Sequence, residues 1–256
     1  MCGYVGFTNR IENADAVLGE MMDTIRHRGP DSEGKYIDDG IALGFRRLSI
    51  IDLAQGDQPI ANEDGGKVLV FNGEIYNYRQ LREKLVAAGH VFKTHSDSEV
   101  LLHGYEEYGV KLLNMLRGMF SFVIWDKEKQ ELFGARDYFG IKPLYYAEMN
   151  GTLLFGSEIK AFLPHPQFEK KLNLSTLENY LTFQYSPLSD TFFEGVKKLM
   201  PAHYFLYKDG KMEITRYWEP NFENDESKSL EDWVSEIRKT FEGSVEAHKI
   251  SDVEVG

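Results

Sequence analysis

At 256 residues with 29 basic and 41 acidic side chains, the chain is sized for one large domain or two small ones, and its net charge of −12 would repel a phosphate backbone. An apolar fraction of 42% and an aromatic fraction of 13% exclude a disordered or fibrous protein, and one cysteine excludes an internal disulfide. The longest strongly apolar stretch, Met119–Trp125, is too short to span a bilayer, and no signal-peptide pattern opens the chain. Nucleic acid and membrane are therefore excluded as partners, and the expected location is the cytoplasm.

The opening "MCGYVGF" reads as a buried strand that carries the lone cysteine, Cys2. Leu18, Met21, Met22 and Ile25 then recur at i, i+3, i+4 and i+7, which predicts an amphipathic helix over 14–26 capped by Asn13. "IALGF" (41–45) and "KVLVFN" (67–72) predict strands. A helix is predicted over 78–88 with Gly89 as its stop. "SDSE" (96–99) has the pattern of a capping box opening a helix through Tyr108.

Strands dominate beyond that helix. Met119–Trp125 and Glu131–Ala135 flank a polar turn, while Pro143–Tyr146 and Thr152–Phe155 flank Asn150-Gly151, a strong hairpin signal. Asp209-Gly210 repeats that device within "HYFLYKDGKMEITRYW". Consecutive hairpins and segregated helices predict an α+β fold with antiparallel sheet. Residues 219–228 are polar and acidic, as in a linker, and Ser229 caps a predicted helix through about His248 with Trp233, Ile237, Phe241 and Val245 on one face.

Each chemical candidate has a bland reading beside it. Cys2 alone could be a small buried hydrophobe, "HRGPDSEG" (27–34) a Gly-Pro turn, "FRRLSIID" (45–52) a strand with surface arginines and "FNGEIYN" (71–77) a turn. Strand alternation sends Arg46 and Arg47 to opposite faces. Seven histidines include no pair at i, i+4, and His90 and His95 come closest to a pattern, so no metal site is expected.

Taken in order, "MCGYVGF", "HRGPDSEG", "RRLSIID", "FNGEIYNY", "SDSEV", "RGMFSFVIWD", "ARDYFGIKPLYY" and "GSEIKAF" resemble the N-terminal glutaminase domain of glutamine-hydrolysing asparagine synthetases. These are class II glutamine amidotransferases of the N-terminal-nucleophile hydrolase superfamily. The resemblance implies a four-layer αββα sandwich of two antiparallel sheets between helices. It implies a glutaminase domain over 2–218, the linker, and over 229–256 the start of an ATP-dependent synthetase domain.

By the same resemblance, Cys2, freed by removal of Met1, is the nucleophile and its α-amine the base, while Asn72 and the Gly73 N–H form the oxyanion hole. Arg47 binds the α-carboxylate of glutamine. Glu74 and Asp97 receive its α-ammonium, and the main chain of Leu48, Ser49, Ile50 and Ile51 completes the pocket. Arg28 supports the cysteine loop.

In the family a glycine-rich "SGGxDS" loop follows a segment like "HKISDVEVG". Glutamine hydrolysis is thus expected to need no cofactor, ATP and magnesium belonging to the synthetase domain in cis beyond residue 256. The rival readings are an N-terminal-nucleophile amidase of other specificity and a non-catalytic, glutaminase-like partner-binding module.

Overall fold

The computed structural model describes residues 1–49, 52, 56–223 and 225–252. Two six-stranded sheets, antiparallel at every pairing, form its centre. Sheet A contains β1 (Gly3–Thr8), β2 (Ser32–Ile37), β3 (Ile41–Arg47), β8 (Tyr145–Met149), β9 (Thr152–Gly156) and β10 (Val196–Lys198), in the order β10-β8-β9-β1-β3-β2. Sheet B contains β4 (Ile60–Ala61), β5 (Lys67–Ile75), β6 (Gly118–Asp126), β7 (Glu131–Arg136), β11 (His203–Lys208) and β12 (Lys211–Arg216), in the order β12-β11-β7-β6-β5-β4.

Period-2 alternation divides the apolar residues into three layers of core. Tyr4, Ile41, Leu43 and Phe45 of sheet A meet Val68, Val70, Val123 and Trp125 of sheet B between the sheets. The opposite face of sheet A, with Val5, Phe7 and Ala42, packs on Leu18, Met21 and Met22 of α1 (Ala14–Thr24). Leu69, Phe71 and Ile75 of sheet B pack on α2 (Tyr78–Ala87) and α3 (Ser98–Tyr108). Helix, sheet, sheet, helix is the expected α+β order.

Both predicted hairpin turns adopt the left-handed conformation their residues favour, with φ of 50° and 79° at Asn150-Gly151 and 51° and 70° at Asp209-Gly210. Local capping fared less well. Asn13 is itself left-handed, with φ of 57°, and its side chain makes no capping hydrogen bond. The Ser96 capping box does not form either. The Ser96 hydroxyl accepts from Ser98 N–H (3.2 Å), and Glu99 reaches back to the N–H groups of Lys93 (2.8 Å) and Thr94 (2.7 Å). Strands β2, β4 and β10 and helix α4 (Ser175–Phe183) have no counterpart in the sequence reading.

The final helix, α5 (Leu230–His248), opens with a true capping box. Ser229 Oγ accepts from Asp232 N–H, and Asp232 Oδ2 accepts from Ser229 N–H, both at 3.1 Å. Leu230, Val234, Ile237, Phe241 and Val245 along it are exposed.

Candidate active site

Sheet register brings the predicted residues to one end of the inter-sheet space. Gly3 pairs with Arg46, so Cys2 and Arg47 lie one step further along the same ladder and share the inter-sheet face with Tyr4 and Phe45. On β5, Asn72 and Glu74 follow Val68 and Val70 on the face that meets them. The result is a cavity of about 200 Å³ lined by Cys2, Arg47, Leu48, Asn72, Gly73, Glu74 and Asp97. Ser49 lies beside it, its N–H on Asp31 Oδ2 at 2.8 Å. Ile50 and Ile51 lie outside the described residues.

The thiol is clasped by one residue. Cys2 Sγ accepts from Leu48 N–H at 3.3 Å and the thiol contacts Leu48 O at 3.4 Å. Burial pushes the thiol above its ordinary pKa, opposed by that N–H, the terminal amine and Arg47. Cys2 O accepts from Arg28 Nε at 2.9 Å, and Asn72 fits with its amide nitrogen on Cys2 O (3.1 Å) and its oxygen on Arg28 Nη2 (3.3 Å). Glu158 anchors the other side of Arg28 at 3.1 Å.

"HRGPDSEG" therefore does three jobs. Arg28 fixes the cysteine carbonyl, and Gly29 lies where a Cβ would sit 2.4 Å from Arg46 O. Asp31 holds Ser49.

Gly73 owes its identity to the sheet, since a Cβ there would meet Met119 O at 2.2 Å. Its N–H is placed by ladder alternation. Phe71 N–H bonds Gln58 Oε1 (2.6 Å) and Ile75 N–H bonds Asp97 Oδ2 (2.9 Å), both on the edge of β5 away from β6. Gly73, midway between them, turns its N–H to that same edge, into the cleft.

Charge in the cleft is only partly balanced. Burial pushes Asp97 up to about 7 despite the Ile75 N–H, and the Glu74 charge adds to the rise. Burial likewise raises Glu74, against the pull of Lys142. Arg47 Nη1 is 3.0 Å from Asp57 Oδ1. Arg46 points the other way, to Met22 O, Asp23 and Glu33 at α1 and β2.

Sequence reasoning missed Lys142, Asp57 and Gln58 as members or braces of the cleft. Lys142 had a signal, because it lies inside "ARDYFGIKPLYY". Asp137 of the same motif accepts from the N–H groups of Ile141 and Lys142, both at 2.9 Å, and so shapes the turn that delivers Lys142. Asp57 and Gln58 had none.

A family model described as "Glutamine amidotransferase domain" matches residues 1–218. The chain belongs to the class II glutamine amidotransferase domain family. This amidotransferase domain is 42% identical over 262 residues to asparagine synthetase [glutamine-hydrolyzing] 1 of Bacillus subtilis (strain 168), covering 100% of the chain and 41% of that protein. Asparagine synthetase [glutamine-hydrolyzing] 3 of the same organism is 36% identical, covering 100% and 42%. The chain thus spans about two-fifths of the length of these relatives. Among solved structures, glutamine phosphoribosylpyrophosphate amidotransferase from B. subtilis shares the fold, with a TM-score of 0.62 at 21% identity over 86% of this chain and 50% of that one.

Proposed function

We propose that this domain hydrolyses glutamine to glutamate and ammonia with Cys2 as nucleophile. The observation that carries the reading is the meeting of Cys2, at the mouth of central strand β1, with Arg47, Asn72, the Gly73 N–H, Glu74 and Asp97 around one small cavity.

With Met1 attached, the nitrogen of Cys2 is an amide and cannot act as a base. Removal of Met1 makes it an amine, with an unperturbed pKa of ~7.7–8, on the same residue as the thiol. The amine takes the thiol proton as Sγ attacks the amide carbon of glutamine. Asn72 and Gly73 N–H stabilise the oxyanion. Collapse releases ammonia, the amine returning its proton to the leaving nitrogen, and leaves a glutamyl thioester. Water, deprotonated by the same amine, then frees glutamate and restores the thiol.

Arg47 receives the α-carboxylate, for which a guanidinium fork is suited, with the main chain of 48–51 alongside. Asp97 and Glu74 receive the α-ammonium, and Arg28 positions the Cys2 carbonyl. The raised pKa of Asp97 supports this, because an acid desolvated without a cation has most to gain from one.

Hydrolysis draws only on groups of this chain, and the cleft's thiol, amide and charged side chains suit an amino acid. In a longer protein the ammonia would serve ATP-dependent asparagine synthesis from aspartate, with ATP and magnesium held by a synthetase domain in cis that begins near residue 229. The exposed apolar stripe of α5 suits contact with such a domain. A free catalytic thiol suits the reducing cytoplasm.

The deciding experiment pairs intact mass with glutamine turnover. Protein lacking Met1 should release ammonia from glutamine and, on acid quench, carry a glutamyl adduct on Cys2. Turnover without an adduct, or equal turnover of simple primary amides, would overturn the reading.

A further inference from the structure

Away from the cleft, three segments converge on a second polar cluster. Glu63 comes from the turn between β4 and β5, His90 from the segment just after α2, and His103 with Glu106 from successive turns of α3. One ligand atom from each lies within 4.8 Å of the others. His103 Nδ1 is 3.1 Å from Glu106 Oε2 and 3.4 Å from Glu63 Oε2, and His90 Nδ1 is 3.8 Å from both Glu63 Oε1 and Glu106 Oε2. Tetrahedral zinc, with bonds of about 2.0–2.1 Å, sets its donors roughly 3.3–3.4 Å apart. The cluster brackets that spacing.

The surroundings orient these donors inward. His103 is fully buried, its Nε2 has no hydrogen-bond partner among the described residues, and Glu99 Oε1 lies 3.7 Å from it. His90 Nε2 faces Glu107 Oε2 at 3.5 Å. With each Nε2 as the N–H directed at a carboxylate, each Nδ1 lone pair faces the centre, as behind metal-binding histidines generally. Glu63 Oε1 takes Val91 N–H at 2.9 Å, and Glu106 Oε1 takes Asn62 Nδ2 at 2.6 Å with Lys67 Nζ at 3.8 Å.

Two carboxylates and two imidazole nitrogens turned toward one another favour positive charge between them. A proton on His103 Nδ1 serves Glu106 Oε2 at 3.1 Å and faces Glu63 Oε2 at 3.4 Å, but it leaves His90 Nδ1, 3.8 Å from each carboxylate, outside hydrogen-bond range. A metal ion serves all four.

We propose that Glu63, His90, His103 and Glu106 form a structural site for a first-row divalent cation of the zinc class. Two imidazoles among four donors disfavour calcium and magnesium, which seek oxygen. Two carboxylates and two neutral imidazoles balance the ion's charge. The bound ion would tie the β4–β5 turn to α3, the helix whose N-terminus carries Asp97.

The test uses a Cys2→Ser background, so that the thiol cannot compete for metal. After chelator treatment and dialysis, calorimetric titration with Zn2+ should show one equivalent bound, and Co2+ should give the visible bands of a tetrahedral centre. His90→Ala and Glu63→Gln, both at the rim, should each weaken Zn2+ at least 100-fold while keeping the circular dichroism of the parent. Glu107→Gln, behind His90, should weaken it about 10–100-fold. Excess Mg2+ or Ca2+ should not displace Zn2+. A folded protein that takes up no Zn2+, or one whose Zn2+ affinity in His90→Ala and Glu63→Gln is unchanged from the parent, would overturn the site and leave a proton-bridged ion pair.

Discussion

The cleft and α5 are both unfinished surfaces, and they are unfinished in opposite ways. In the cleft the unmet demand is electrostatic, with Asp97 and Glu74 desolvated beside a thiol in about 200 Å³. Along α5 it is hydrophobic, with Ile237 64% and Phe241 68% exposed. Charge enclosed in a small volume selects a small zwitterion by paired hydrogen bonds, whereas an apolar stripe selects only another apolar surface. Their construction differs too. Residues far apart in the chain meet at the cleft through sheet register, while α5 is set by its own capping box and periodicity. The cleft should therefore be sensitive to single atoms, and α5 tolerant of them.

The largest expected effect is at Cys2. Cys2→Ala should abolish glutamine hydrolysis and leave thermal unfolding nearly unchanged, because it removes a single sulfur atom from a small, partly exposed side chain. Residual turnover above a tenth of the parent, in protein of verified mass, would remove Cys2 from the mechanism. Asn72→Ala comes next, with a fall in kcat of ~10²–10³ and a smaller change in KM, the cost of one oxyanion donor. An effect confined to KM would make Asn72 a ground-state contact.

The arginine pair sharpens the contrast within one strand. Arg47→Lys keeps the charge and loses the fork, and should weaken glutamine binding by ~2–5 kcal/mol, the usual loss when a desolvated charge pair is broken. Arg46→Ala should leave glutamine kinetics alone. It should lower stability by about 1.5–3 kcal/mol, since Arg46 bonds Met22 O and pairs with Asp23 and Glu33. Measuring KM and Tm on both variants separates a site role from a packing role, and reversed results would shift the strand register by one.

Asp97 yields a pH dependence of definite sign. Its folded pKa of about 7 lies above its unfolded value of 3.8, so between those limits the unfolded chain binds fewer protons than the folded one. This residue's contribution to stability thus falls as pH rises from about 4 to about 7 and is level beyond. The ammonium of glutamine favours the ionised form, so glutamine affinity should fall about tenfold per pH unit below pH 7. In Asp97→Asn that slope should vanish, with weaker binding and a higher Tm at pH 8. A slope that persists belongs to another group.

The smallest effects belong to α5. Ser229→Ala should cost ~1 kcal/mol of local helix stability, read by hydrogen exchange in the first turn. Phe241→Glu should leave turnover within twofold and raise solubility. A large loss of turnover from either change would mean that the two regions are coupled.

Much of this was legible in the chain because it is local or periodic. Alternation along 41–47 and 67–75 sends Arg46 and Arg47 to opposite faces and keeps Asn72 and Glu74 on one face, while it was the family resemblance that named Arg47, Asn72 and Glu74 as site residues. Asn150-Gly151 and Asp209-Gly210 specify their hairpins, and Ser229 with Asp232 specifies the start of α5. Ordered motifs carried the family, and with it Cys2, Gly73, Asp97 and Arg28. Tertiary structure decided what depends on partners brought from elsewhere. Ser96 had its capping pattern but turned to Ser98, because Glu99 found Lys93 and Thr94. Asp57 acquired meaning only from Arg47, and Lys142 only from the turn that Asp137 ties. Glu63, His90, His103 and Glu106 have no common spacing, yet they meet because α2, α3 and the β4–β5 turn pack on one sheet. Periodicity reports which face of an element is buried; which groups meet across that burial is fixed by register and packing between distant segments.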